Sequence, residues 1–341
     1  MRRVEWIDVA KGLAIILIVM HHARDYALSL IPPSLDHPIR WVTIDPLFYY
    51  IRLPLFFLLS GMLASGTLSS GDGTPHYNVG RVLRLTGVYL LWSVPLLLLI
   101  PDWPYDSWHA PVPGAFVNLL RGGTVLWYLW ATAMAFGLGW ASRRLPPLSA
   151  VMFATITGVA LHMWGGVLGG SFGALGRCLP YYILGIRYPF ALLWLARRRG
   201  LAGLLLLACG YGIAMSVFPR SSGLDAVREI LGICLAVVGI GWATERWPRA
   251  ASRFSWLGRR TLPIYIFHFP ILTFLGSAAV RHGRLLTHWP PTIWLFLPLL
   301  SAVGLTLSLG LFAVLRWLGL GWMLAMPRRR DDSSPKALAL S

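Results

Sequence analysis

The sequence is poor in charge and poorest in acid. Charged residues make up 13% of its 341 positions, about half the share usual in a soluble globular protein. Only 13 are acidic, against 30 basic. A disordered chain and a coiled coil both need more charge than this, so both are excluded. The cysteines are Cys178, Cys209 and Cys234, with no CxxC pair among them. A disulfide framework is therefore excluded, and no metal site is expected. There is no internal repeat of the kind that marks many transporters. The glycine run from Trp164 to Gly173 lacks the lysine and helix context of a phosphate-binding loop, and reads as a flexible connection. What is abundant is apolar: 56% of residues are hydrophobic, 17 of them Trp, and the mean hydropathy is +0.63. They come in long blocks, which leaves a polytopic membrane protein.

A net charge of +17 raises nucleic acid as a partner. No basic face with interleaved aromatics stands free of an apolar segment, so nucleic acid is discounted. The expected fold class is all-α, with about ten transmembrane helices near 11–31, 45–66, 83–101, 123–141, 149–168, 178–195, 201–218, 224–243, 261–280 and 292–318, each needing roughly 20 apolar residues. The basic residues orient them. Arg2 and Arg3, Arg143 and Arg144, Arg197 to Arg199, Arg259 and Arg260, and Arg328 to Arg330 fall on one side of the alternation. The opposite side carries the sparser Arg40, Arg121, Arg177, Arg220, Arg228, Arg281 and Arg284. The positive-inside rule then makes both termini cytoplasmic. The basic start has no small-residue cleavage site after its apolar run and reads as a retained helix. Residues 1–327 are expected to form one transmembrane domain, and 328–341 a disordered cytoplasmic tail. Membrane lipids are the obligatory surroundings.

Ionisable groups inside a membrane are costly, and so point to function. The first helix carries Asp8, Lys11, His21, His22, Arg24 and Asp25. Lys11 and His22 share a face, offset by about 20° after three turns and about 16 Å apart along the axis. Asp25 lies one turn past His22, where a carboxylate can fix an imidazole tautomer. For Lys11 alone, snorkelling to the headgroups explains the residue; for the whole stripe, function explains it better. Arg81 and Arg84 share a face at the third helix and can present two guanidinium forks to phosphates. Taken alone, that spacing also suits a membrane anchor. His268 is a second deep histidine, structural or proton-handling. Arg52 needs a partner, with Asp45 or a carboxylate of the first helix in reach. The loop holding Asp102, Trp103, Asp106 and Trp108 mixes carboxylates and aromatics, as sugar-binding surfaces do and as aromatic belts do.

Several segments together resemble the acyltransferase-3 membrane proteins. They are Ile7-Asp8-Val9-Ala10-Lys11-Gly12-Leu13 followed by His22, the Arg81-x-x-Arg84 pair, Arg52 to Gly61, Leu126-Trp127-Tyr128-Leu129, and Leu262 to His268. They occur in the family's order over nearly the whole chain. Lys11 stands where many members have Arg, so a point charge replaces a bidentate fork there. The resemblance implies an O-acyltransferase of the bacterial inner membrane. The donor would be a cytoplasmic acyl-CoA, by default acetyl-CoA, and the acceptor a hydroxyl of a cell-surface or exported carbohydrate such as exopolysaccharide. Lys11, Arg81 and Arg84 would bind the coenzyme A. His22 would be catalytic, as general base or as nucleophile, with Asp25 and His268 assisting. Asp102, Trp103 and Trp108 are the candidate acceptor contacts. Some members carry a soluble hydrolase-like domain after the membrane part. None is read here, so direct acylation or hand-over to a polysaccharide-assembly partner is expected. The rival is a proton-coupled secondary transporter of a sugar or lipid-linked substrate, in which the same histidines would relay protons.

Overall fold

The computed structural model describes residues 4–29, 40–69, 75–99, 112–198, 200–217, 224–282 and 290–324. Among the described residues there are helices and no strand. In chain order they are α1 (Glu5–Ser29), α2 (Arg40–Ser69), α3 (Pro75–Leu99), α4 (Val112–Leu120), α5 (Trp127–Ala141), α6 (Pro147–Met163) and α7 (Gly165–Leu168). Then follow α8 (Phe172–Arg187), α9 (Pro189–Ala196), α10 (Leu201–Val217), α11 (Asp225–Arg246), α12 (Pro248–Gly258), α13 (Thr261–His282) and α14 (Pro290–Trp317). Asp102, Trp103, Trp108 and the tail 328–341 lie outside the described residues, as does the side chain of Asp45.

Each apolar block of the sequence contains helix, but the helices differ in length. Among the described residues, five are long and apolar enough to cross a membrane: Glu5–Tyr26, Leu47–Gly66, Asp225–Arg246, Thr261–Ala279 and Leu295–Trp317. A sixth is added if α8 and α9 count as one span, bent by 88°. The sequence reads that block as one straight helix; Pro189 divides it. The residue before a proline is driven off helical geometry, and Tyr188 sits at φ −126° and ψ 45°. The α6 and α10 helices have 17 residues each, about 25 Å of rise against a hydrocarbon core of about 30 Å. Arg177 and Arg228, read from sequence as outer-side positions, lie inside α8 and α11.

The chemistry-bearing helix is central. Along α1, Ala10, Ala14, Ile15, Val19 and Ala23 are fully buried, and the helix packs on α2, α11, α12, α13 and α14. Asp8 is buried and Lys11 and His22 are half-buried, so these ionisable groups are largely covered by protein, which makes them tolerable in an apolar setting. Helix contact in lipid depends on close backbone approach through small residues. At the α1–α12 crossing, a Cβ on Gly258 would stand 1.7 Å from the Asp8 carbonyl oxygen, and one on Gly12 would stand 2.2 Å from that of Phe254. At the α2–α8 crossing, a Cβ on Gly61 would be 2.0 Å from the Tyr182 carbonyl oxygen. Gly61→Val must push these helices apart, and a loss of about 1–3 kcal/mol is expected. Thermal melting of the purified protein would register it; an unchanged melting point would contradict this crossing.

Candidate active site

Two features on one face of α1 make up the site. The first is a cavity of about 200 Å³, with Lys11 and Arg81 in its lining. Lys11 also lies 3.9 Å from Asp8, one turn back. The Arg81 guanidinium stands 4.9 Å from the centre of the Phe136 ring, so an aromatic face steadies the cation. Arg84, one turn along α3, is half-buried. The remaining wall is mixed. Phe56, Leu63, Leu85, Leu129 and Leu262 are apolar, while Ser60, Tyr128, Thr132, Thr261 and Tyr265 carry hydroxyls.

The hydroxyls of Ser60, Tyr128 and Tyr265 are tied into the frame. Ser60 Oγ and the Tyr128 hydroxyl are 2.5 Å apart. The Tyr265 hydroxyl donates to the Val125 carbonyl at 2.8 Å and accepts from the Tyr128 backbone N–H at 3.1 Å. These bonds fix α2, α5 and α13 against one another around the cavity. Sequence reading quoted Ser60, Tyr128 and Tyr265 inside motifs and gave them no role. Their partners lie on other helices, out of reach of any local pattern.

The second feature is a histidine pair. His268 sits one turn beyond Tyr265 on α13 and is 2% exposed. Its ring centre lies 5.3 Å from that of His22. His268 Nδ1 is 2.9 Å from the Ile264 carbonyl oxygen. A carbonyl only accepts, so Nδ1 carries the proton and Nε2 holds the lone pair. That Nε2 is buried and has no hydrogen-bond partner among the described residues. Phe269 packs edge-on to His22 at 5.1 Å, and His21 stands 5.2 Å from His22. Beyond the pair, the same stretch of α1 is pinned by the Tyr26 hydroxyl, which bonds Thr273 Oγ1 at 2.9 Å.

The structure thus brings Lys11 to Arg81, and His22 to His268. Asp25 is exposed and pairs with Arg24 at 3.0 Å. Arg52 is buried, its guanidinium 5.6 Å from the Tyr49 ring. Among the described residues, no group of three or more His, Cys, Asp or Glu side chains is placed to hold a metal ion.

A separate buried cluster escaped sequence reading. Arg177 Nε donates to Glu229 Oε1. The Tyr181 hydroxyl donates to Glu229 Oε2 at 2.6 Å. Arg228 bonds Asp225 at 2.5 Å and the Ala214 carbonyl at 3.2 Å. The available signal was Glu229 itself, an acid within an apolar block and subject to the reasoning applied to α1.

Comparison with known proteins points to one family. The Escherichia coli (strain K12) protein named "Inner membrane protein YcfT" is 24% identical over 320 residues, covering 86% of each chain. No solved structure matches. A family model described as "Acyltransferase domain", that of the acyltransferase-3 proteins, matches residues 4–336. With its apolar helices packed around a polar α1, this multi-pass membrane chain belongs to the acyltransferase-3 family.

Proposed function

We propose that the protein is an O-acyltransferase that takes an acyl group, by default acetyl, from cytoplasmic acyl-CoA. The acceptor is a hydroxyl of a cell-surface or exported carbohydrate, exopolysaccharide being the leading class. One observation carries this reading. A cationic cavity and a histidine pair lie along one face of α1, Lys11 and His22 about 16 Å apart along its axis, with Tyr265 between them on α13. Phosphates suit Lys11, Arg81 and Arg84. An acyl-bearing arm suits a narrow, mostly apolar cavity with hydroxyl donors in its wall.

In the direct route, an imidazole nitrogen of the pair takes the proton of the acceptor hydroxyl. The alkoxide oxygen bonds to the thioester carbonyl carbon, the carbon–sulfur bond breaks, and the thiolate takes up a proton. In the two-step route, an imidazole nitrogen of His22 bonds to the thioester carbonyl carbon as the carbon–sulfur bond breaks, and the thiolate leaves and takes up a proton. The acceptor oxygen then bonds to that carbon, the carbon–nitrogen bond breaks, and the freed imidazole takes up the hydroxyl proton. Ser60 and Tyr128 supply O–H groups within the cavity wall, suited to a carbonyl oxygen that gains charge. The loop carrying Asp102, Trp103 and Trp108 is assigned to the acceptor, and Asp25 to the outer side of the histidine pair. Ten crossings with both ends cytoplasmic, in a bacterial inner membrane, place the cations on the acyl-CoA side.

The test is release of labelled acetyl from acetyl-CoA by the purified protein in proteoliposomes, with and without acceptor polysaccharide. Label leaving coenzyme A and appearing on the carbohydrate is the expected result. Label that persists on denatured protein favours the two-step route. A protein that neither binds nor cleaves the thioester would sink the reading and return the chain to proton-coupled transport.

A further inference from the structure

The cavity is too small for a whole donor. Sites that enclose a drug-sized ligand run to about 300–1,000 Å³, and this one is about 200 Å³. On the acyl-CoA reading above, on which this inference rests, the cavity takes only the thioester end of the arm. The nucleotide end runs on past Lys11, Arg81 and Arg84, so part of its diphosphate and 3′-phosphate charge lies outside the cavity.

Thr261 and Leu262, the first residues of α13, line the cavity together with Lys11. The turn that precedes them, Gly258 to Arg260, adjoins that lining directly in the chain. That turn is held rigidly. The 1.7 Å clearance at Gly258 and the 2.2 Å clearance at Gly12 lock α12 onto α1 within one turn of Lys11. The chain reverses through Arg259 and Arg260, whose backbone N–H groups bond Ser255 and Leu257. Both side chains are ordered. Arg259 Nη1 donates to Ser255 Oγ at 2.7 Å. The Arg260 guanidinium lies 4.0 Å from the Trp256 ring centre and donates to the Trp256 carbonyl at 3.0 Å. Each uses few of its five donors in these bonds, and Arg259 remains exposed. Two guanidiniums on one turn, Arg259 exposed and Arg260 half-buried, next in the chain to the lining of a cationic cavity, match a phosphate-rich ligand in charge and in fork geometry.

We propose that the α12–α13 turn, through Arg259 and Arg260, holds the phosphates of the donor's nucleotide end at the cavity mouth. An anionic lipid headgroup presents the same phosphate chemistry, so the experiment separates the two sources. Coenzyme A, 3′-dephospho-coenzyme A and pantetheine are titrated against full-length protein in nanodiscs of phosphatidylcholine, and again in nanodiscs containing phosphatidylglycerol.

Wild type should bind coenzyme A at least about tenfold tighter than pantetheine, one charge-assisted hydrogen bond sufficing for that factor. The Arg259→Ala/Arg260→Ala variant should bind coenzyme A at least about tenfold more weakly in both lipids, with Lys11, Arg81 and Arg84 still in place, and keep its pantetheine affinity, which also reports correct folding. Arg259→Lys/Arg260→Lys should retain part of the lost affinity. A preference for coenzyme A that survives the double alanine change undiminished overturns the assignment and leaves the acyl-CoA reading standing. Loss of stabilisation by phosphatidylglycerol, with coenzyme A selectivity intact, overturns it in favour of lipid. Wild type that binds none of the three overturns the donor reading and this assignment together.

Discussion

Replacing His22 with alanine should lower the turnover of acyl transfer by about 10²–10⁴-fold, the usual contribution of a positioned base, while coenzyme A binding stays at the wild-type level. The separation follows from geometry. Lys11 and Arg81 sit in the cavity lining, whereas His22 lies about 16 Å along α1 from Lys11. The companion change His268→Ala should cut turnover as well, because it removes the buried Nε2 and the ring 5.3 Å from His22. The double variant should be little worse than His22→Ala, as expected of groups that act as a unit. Steady-state kinetics with labelled acetyl-CoA, paired with a binding titration, would check both points. Equal loss of binding and turnover would place His22 in donor recognition instead.

Glu229→Ala should be the most destabilising single change outside the site. Glu229 is 3% exposed and accepts from both Arg177 and Tyr181. Without it, the Arg177 guanidinium is left with an uncompensated charge, and its Nη2 is already buried without a partner. Breaking one side of such a pair costs about 3–5 kcal/mol. Removing both charges, as in Arg177→Met/Glu229→Leu, should cost clearly less, because no ion is then left stranded. Melting of the detergent-solubilised variants, ranked against wild type, reads the difference. A double variant no better than Glu229→Ala would show that the network contributes hydrogen bonds and packing rather than charge compensation.

The two predictions differ in how far sequence alone leads to them. Lys11 and His22 share a face because helix periodicity is a local property, so their alignment can be worked out from spacing. The apolar blocks are legible for the same reason: a helix in lipid must satisfy its backbone internally, and a run of apolar residues declares it. Even there, local signals stop short. Pro189 marks the break between α8 and α9, but the 88° bend depends on what the two halves pack against.

Glu229 was visible in the sequence as an acid within an apolar block, yet its partner Arg177 is 52 residues away. Only packing joins them. The same holds for His22 and His268, whose rings meet through the contact of α1 with α13, and for Ser60 and Tyr128, which meet across α2 and α5. By itself the sequence determined the all-helical class, the apolar segments, the polar stripe on α1 and, through motifs in order, the family. Tertiary structure decided which of those polar groups share a site, because contacts between helices depend on crossings set by residues such as Gly12, Gly61 and Gly258. What those glycines do is visible only when the facing backbone is in place.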